Sequence, residues 1–242
     1  MAARQQAETE IINAALRLAA TRAWADIRIN DIAAEAEMSL ADLAGHIGGK
    51  ADILRLYGRQ LDAKMLKSLD AEPVTGSPHD RVFDIIMRRL ELMDADKAAI
   101  RSIVATPAAS AAGYLTLAGS LLQSQDWILS AAGIEDTGVR GAIKTSGLAW
   151  VYVQTLRTWT NDDDPGMART MAQLDRSLRD GANWISRMET PAALATALAS
   201  LARGFMNARR GTSTGSPGPD NSPPPPPPAG SGDKASTNPD QS

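Results

Sequence analysis

One kind of helix-start signal recurs along this chain and constrains its fold more than any other feature. Ser77-Pro78 with Asp80 supplies a cap, a first-turn proline and a first-turn acid, and Asp164-Pro165 and Thr190-Pro191 repeat the cap-proline pair. Between such starts Ala, Leu, Met, Arg and Glu dominate and apolar residues recur at helical spacing. An all-α protein is expected. Spacing and breakers predict helices near residues 7–22, 29–36, 40–46, 50–71, 78–95, 97–105, 109–132, 137–160, 165–188 and 191–208.

The one clear internal loop, Ala71 to Pro78, divides a set of short helices from a set of longer ones. Four segments are expected: 1–72, 73–188, an amphipathic C-terminal helix over 189–210, and a tail over 211–242. The tail is Gly, Ser, Thr, Asn and Pro, with six consecutive prolines from Pro223, a composition that cannot offset its ordering entropy by burial. It carries a net charge of -2 out of -3 for the chain, so the body is nearly neutral. Bulk positive charge is therefore excluded as a means of holding nucleic acid, and only a local basic face could serve. Without cysteine there is no disulfide framework, thiolate metal site or thiol nucleophile. Arg4, Glu8, Glu10, Arg17 and Arg22 interrupt the first thirty residues, and Pro107, Gly113 and Gly119 interrupt the least charged stretch. Neither reads as a leader or a membrane span, and a cytoplasmic protein is expected.

The most specific signal lies between residues 29 and 54. Ile29 to Glu37, a turn at Met38, Ser39 as a cap, a short helix through His46, Gly48-Gly49 and a long helix from Lys50 lay out a helix-turn-helix domain. Direct base readout would fall to Ser39, Asp42 and His46, the polar residues of the second short helix, with Asp42 able to accept from a cytosine amino group. Phosphate contacts would fall to Arg28 and Asn30 at the start of the preceding helix, to His46, and to Lys50. Residues 1–65 nevertheless hold eight cations against nine acids. The run Asp31-Ile32-Ala33 through Ser39, His46, Lys50 and Leu54 resembles the TetR/AcrR repressors, whose pattern there is D-I-A-x-x-A-G-V-S-x-x-T-L-Y-x-H-F-x-S-K-x-x-L. Where that pattern has Thr and Tyr, this chain has Asp42 and Ala44. The resemblance implies a TetR-like fold, a ligand and dimer domain after the helix-turn-helix, a homodimer, and operator DNA as partner.

In the longer helices, Leu148, Tyr152, Thr155 and Trp159 share one face, and Met167, Met171, Leu174, Leu178, Ala182 and Ile185 form a stripe. Trp127, Trp150, Tyr152 and Trp159 are the aromatic candidates for holding an apolar ligand. The segment from Trp127 through Trp159-Thr160-Asn161-Asp162-Asp163-Asp164-Pro165 to Met171-Ala172-Gln173-Leu174-Asp175-Arg176 is similar to the TetR-fold lipid-binding accessory protein of ubiquinone biosynthesis. That resemblance implies a hydrophobic, isoprenoid-type ligand between helices. Leu194, Leu198, Leu201 and Phe205, followed by Arg209 and Arg210, make an amphipathic face suited to peripheral membrane contact.

No enzyme is expected. The two histidines, His46 and His79, fall in different segments, and Gly48-Gly49-Lys50-Ala51 lacks both the first glycine and the hydroxyl of a phosphate-binding loop. Asp162-Asp163-Asp164 is explained by helix capping without a metal, and no cofactor is implied. The leading expectation is a ligand-responsive transcriptional regulator. The alternative is a lipid-binding accessory protein that has lost DNA binding.

Overall fold

A computed structural model describes residues 2–106 and 111–187, and every regular element among them is helical. Met1–Glu189 form one compact unit, and the expected membrane-contact residues Leu194, Leu198, Leu201 and Phe205, like the tail, lie outside the described residues. Among the described residues nine α-helices follow in order: α1 Ala2–Thr21, α2 Ile29–Glu35, α3 Leu40–Ala44, α4 Lys50–Ala71, α5 Pro78–Leu92, α6 Lys97–Ala105, α7 Ala111–Ala131, α8 Gly138–Thr160 and α9 Ala168–Arg187. Single 3₁₀ turns at Trp24–Asp26 and Asp94–Asp96 precede α2 and α6.

The start and stop chemistry accounts for most boundaries. At α5, Ser77 Oγ accepts from the Asp80 amide at 3.2 Å and the Asp80 carboxylate accepts from the Ser77 amide at 3.0 Å, a closed capping box with Pro78 in the first turn. At the end of α2 the Met38 amide reaches the Ala33 carbonyl and the Glu37 amide reaches that of Ala34, a Schellman turn. Glu37 occupies its left-handed position at φ +54°, where a side chain is strained and glycine is at home. The end of α7 uses the same motif with glycine in place, Gly133 at φ +67°, and the Ile134 amide bonds back to the Leu129 carbonyl.

The helix expected from Pro165 begins instead at Ala168. Pro165-Gly166 form a turn and Met167 is left-handed, so the helix cannot start until the chain has passed them. Asp164 still caps it, accepting from the Gly166 and Ala168 amides at 3.1 Å each. The buried Asp162 accepts from the amide and hydroxyl of Thr170 at 2.9 and 2.7 Å. Burial works to raise this carboxyl, but the Thr170 and Asp164 donors outweigh it and hold it below the usual carboxylate range.

One apolar core runs through both helix sets. Ile11, Ile12, Ile27, Ile32, Leu43 and Ile53 fill it around the short helices, and Met65, Ile85, Ile86, Leu90, Ile128, Trp159 and Leu174 around the long ones. The most extensive packings are α4 on α7, α8 on α9 and α1 on α6. Ser102 of α6 accepts from the Trp24 amide and donates to the Arg22 carbonyl, at 2.8 and 3.0 Å. From the same helix, Lys97 and Arg101 donate to the carbonyls of Asp162 and Thr160. A nine-residue helix thus ties the end of α1 to the turn after α8.

A charged cluster interrupts this core. Arg89 of α5 donates through Nη1 to Asp62 of α4 and through Nε to the Tyr152 hydroxyl of α8 at 3.0 Å, and Ser124 of α7 donates to the same Asp62 oxygen at 2.7 Å. All four side chains are buried. Removing one partner leaves the other charge buried and unmatched, which typically costs about 3–5 kcal/mol. Asp62→Leu should therefore lower the unfolding free energy in urea by roughly that amount, and the double substitution Asp62→Leu/Arg89→Met should recover most of the loss. A double variant as unstable as the single one would show that packing, not charge, sets the cost.

Candidate functional site

The helix-turn-helix forms as the spacing predicts, but several of its cations face its own acids. Arg17 Nε lies 2.6 Å from Glu35, Arg22 3.3 Å from Asp31 and Arg55 3.2 Å from Asp52. The Asp31 carboxyl is held below its usual range chiefly by the Arg28 amide it accepts from. Arg28 and Asn30 stand exposed at the start of α2, and Arg28 makes no ion pair among the described residues.

Lys50, expected to reach a phosphate, turns inward. Its ammonium donates to the carbonyls of Trp24 and Ile27, the latter at 2.8 Å, and lies 4.4 Å from the centre of the Trp24 ring. Burial pushes this amine below the usual lysine range, against the pull of Asp26 and Asp31. Lys50 thereby closes the C-terminal end of the 3₁₀ turn and fixes the start of α4 against it.

Two of the three expected base-reading residues, Ser39 and Asp42, bond to each other. Ser39 Oγ accepts from the Asp42 amide at 3.1 Å and donates to the Asp42 carboxylate at 2.6 Å, so both polar side chains of α3 serve its cap. His46 is half-buried, with Nδ1 enclosed and unpartnered. The outward positions of α3 are Leu40, Ala41, Asp42 and Ala44, with Leu40 49% exposed. None of these four side chains is a hydrogen-bond donor of the kind that reads a guanine or adenine edge.

The four aromatic candidates of the longer helices do not come together. Tyr152 is buried in the Asp62–Arg89 cluster. Trp159 is fully buried, with Lys97 5.2 Å over its ring and its indole N–H without an acceptor. Trp127 and Trp150 are 48% and 63% exposed, which makes them surface rather than core residues. Helical spacing separated these two classes on α8, since Leu148, Tyr152, Thr155 and Trp159 are all buried while Trp150 and Arg157 face outward.

An open cleft of about 640 Å³ lies between the end of α7 and the start of α8. Leu122, Asp126 and Leu129 of α7, Ile134 to Thr137 of the connecting turn, and Ala142, Lys144 and Thr145 of α8 line it, and none of the four aromatic candidates does. Sequence reasoning missed it because its walls depend on the Schellman turn at Gly133, which brings Ile134 back to Leu129. The signal was present as glycine between two apolar residues at a helix end. No group of three or more His, Asp or Glu side chains among the described residues is arranged to hold a metal.

Lys50→Met should lower stability by about 1–3 kcal/mol, the usual cost of leaving buried acceptors unmatched. Urea unfolding checks this, and near-wild-type stability would return Lys50 to the phosphate-contact role.

Comparison with known proteins bears on both helix sets. Residues 116–184, which span most of α7, all of α8 and most of α9, match the COQ9 family model. No curated protein sequence matches the chain significantly. Among solved structures, a TetR transcriptional regulator from Nitrosomonas europaea ATCC 19718 superposes with a TM-score of 0.57 at 22% identity, covering 72% of this chain and 97% of that one. A TetR transcriptional regulator from Rhodococcus sp. RHA1 gives 0.55 at 18% identity, covering 73% and 96%. A TetR-family regulator from Streptomyces coelicolor gives 0.50 at 18%, covering 87% and 99%. The chain has the TetR-like all-α fold, and over α7 to α9 it carries the COQ9 pattern.

Proposed function

We propose that this chain is a non-enzymatic, lipid-handling accessory protein of the COQ9 kind, serving ubiquinone biosynthesis on a TetR-like fold that has lost DNA readout. The observation that carries this reading is the helix-turn-helix surface. Its second short helix presents Leu40, Ala41 and Ala44 outward, its two polar side chains cap each other, and Lys50 is bound to backbone carbonyls. A duplex approaching this face would meet few free cations and no base-reading donor.

The segment matched by COQ9 supports the ligand half of the reading. It contains Trp127, Trp150, Val139, Leu122 and Met171, all large apolar side chains more than a third exposed. An indole left this open has on the order of 100 Å² to cover, worth about 2–3 kcal/mol when an apolar partner does so. An isoprenoid tail against Trp127 or Trp150 would gain that energy. In a homodimer, the outward stripe of α8 through Val139 and Trp150, with Met171 of α9, is the face that would meet a second copy. The expected membrane contact through Leu194, Leu198, Leu201 and Phe205 belongs to the same reading.

A DNA-binding, ligand-responsive regulator is the second reading, and one observation favours it. Arg28 and Asn30 stand exposed, with Arg28 unpaired among the described residues, where a phosphate contact is expected.

Native mass spectrometry of the full chain with extracted lipids tests the proposal. Isoprenoid lipid adducts should appear, and Trp127→Ala and Trp150→Ala should each weaken retention without loss of the fold. A chain that takes no lipid from any extract, and whose tryptophan fluorescence no isoprenoid quinone quenches, would overturn it.

A further inference from the structure

The six consecutive prolines from Pro223 serve neither the fold nor the proposed function. A polar spacer needs only low apolar content, which Gly, Ser, Thr and Asn already supply on both sides of the run. Proline differs in how it is incorporated. Its nitrogen is a secondary amine inside a ring that locks φ, and the ring also restricts the residue before it. In peptide-bond formation such a nitrogen is a poorly placed nucleophile, and a proline at the end of the growing chain is a poorly placed electrophile. Consecutive prolines therefore stall a ribosome until a dedicated factor realigns the two ends.

The place of the run is the second observation. The compact unit ends at Glu189, and residues 190–222, 33 in all, separate it from Pro223. Fully extended, a stretch of that length spans about 110 Å, the reach of a ribosomal exit tunnel. A ribosome halted on the run has therefore just released Arg187, the last residue of α9. The unit cannot close without this helix. Leu174 of α9 is fully buried, Thr170 donates twice to the buried Asp162, and α9 packs on both α5 and α8. Other closures are long-range too, since α1 packs on α6 and the buried Asp62–Arg89 cluster draws on α4, α5, α7 and α8. Chains of this size pass through incompletely packed states that expose apolar surface. Leu194, Leu198, Leu201 and Phe205 come next, and at uninterrupted synthesis all four would emerge within about 1–4 s of Arg187.

We propose that the proline run is a translational pause that lets Met1–Glu189 close before Leu194, Leu198, Leu201 and Phe205 leave the ribosome. During the pause these four apolar side chains stay inside the tunnel, so they cannot compete with Leu174 for the unfinished core. The inference does not rest on the lipid-handling reading, because an accessory protein and a regulator need the same closed unit.

Translation of the full chain in a system reconstituted from purified components, with and without the factor that relieves consecutive-proline stalls, tests it. Toeprinting should place a strong stop between Pro225 and Pro228 without the factor, at least tenfold weaker with it, and none after Pro223→Ala through Pro228→Ala. Ribosome-bound chains halted at the stop should then be challenged with protease. They should be digested at least tenfold more slowly over residues 1–189 than chains halted in a variant lacking residues 206–222, in which the second half of α9 is still inside the tunnel. With the factor present and equal total synthesis, the six-alanine variant should give at least twofold less soluble protein than the natural sequence. Absence of the stop, equal digestion of the two halted chains, or an undiminished soluble yield from the six-alanine variant would each overturn the inference.

Discussion

A guanidinium cannot sit unmatched in an apolar interior, and Arg89 is 4% exposed. Everything around it follows from that requirement. Asp62 must come from α4, Tyr152 from α8 and Ser124 from α7, so four long helices have one register in which the cluster closes. Leucines at these positions would permit sliding, whereas a directional cluster does not. Because α4 also follows directly on the helix-turn-helix, beginning at Lys50, this register fixes where the short helices stand on the long ones.

The short helices are held in the same currency. Ion pairs Arg17–Glu35 and Arg22–Asp31 join α1 and its end to α2, and Lys50 joins α4 to the turn after α1. Exposed pairs of this kind are individually worth little, about 0–1 kcal/mol. Their consequence is electrostatic: each cation that faces a carboxylate or a carbonyl presents less field to a phosphate outside. The TetR-like architecture survives in this chain because burial and capping maintain it, and neither depends on the groups that touch DNA. On the reading proposed above, fold and DNA readout are separable, and the outward positions of α3, Leu40, Ala41, Asp42 and Ala44, are where they part.

Much of the fold was legible because its signals are local. Ser77-Pro78-Asp80 specifies a capping box within four residues, and the spacing of Leu148, Tyr152, Thr155 and Trp159 assigns the inner face of α8 without knowledge of its neighbours. The start of α9 was misplaced because Asp164-Pro165 is also a good turn, and Gly166 with Met167 lets the turn win. The site was less legible because its residue types are ambiguous. A lysine at a helix start suits a phosphate or a carbonyl equally, and the choice at Lys50 was made by Trp24, which is distant in sequence. Tryptophans on adjacent helices suggested one pocket, but Trp159 belongs to the core and Trp127 and Trp150 to the surface. The cleft depends on a reverse turn bringing Ile134 to Leu129, a tertiary outcome that no periodicity encodes.

If the helix-turn-helix persists as structure and not as a DNA-binding surface, as proposed here, its affinity for a mixed-sequence duplex as a function of salt will show it. Fluorescence anisotropy of labelled duplex should show affinity no tighter than about 10⁻⁴ M at physiological salt, the weak end of nonspecific binding. The dependence of log affinity on log salt should be shallow, because few free cations are available to displace counterions. Binding near 10⁻⁸ M to a specific duplex, in the range of about 10⁻⁸–10⁻¹¹ M typical of sequence-specific regulators, would contradict the account.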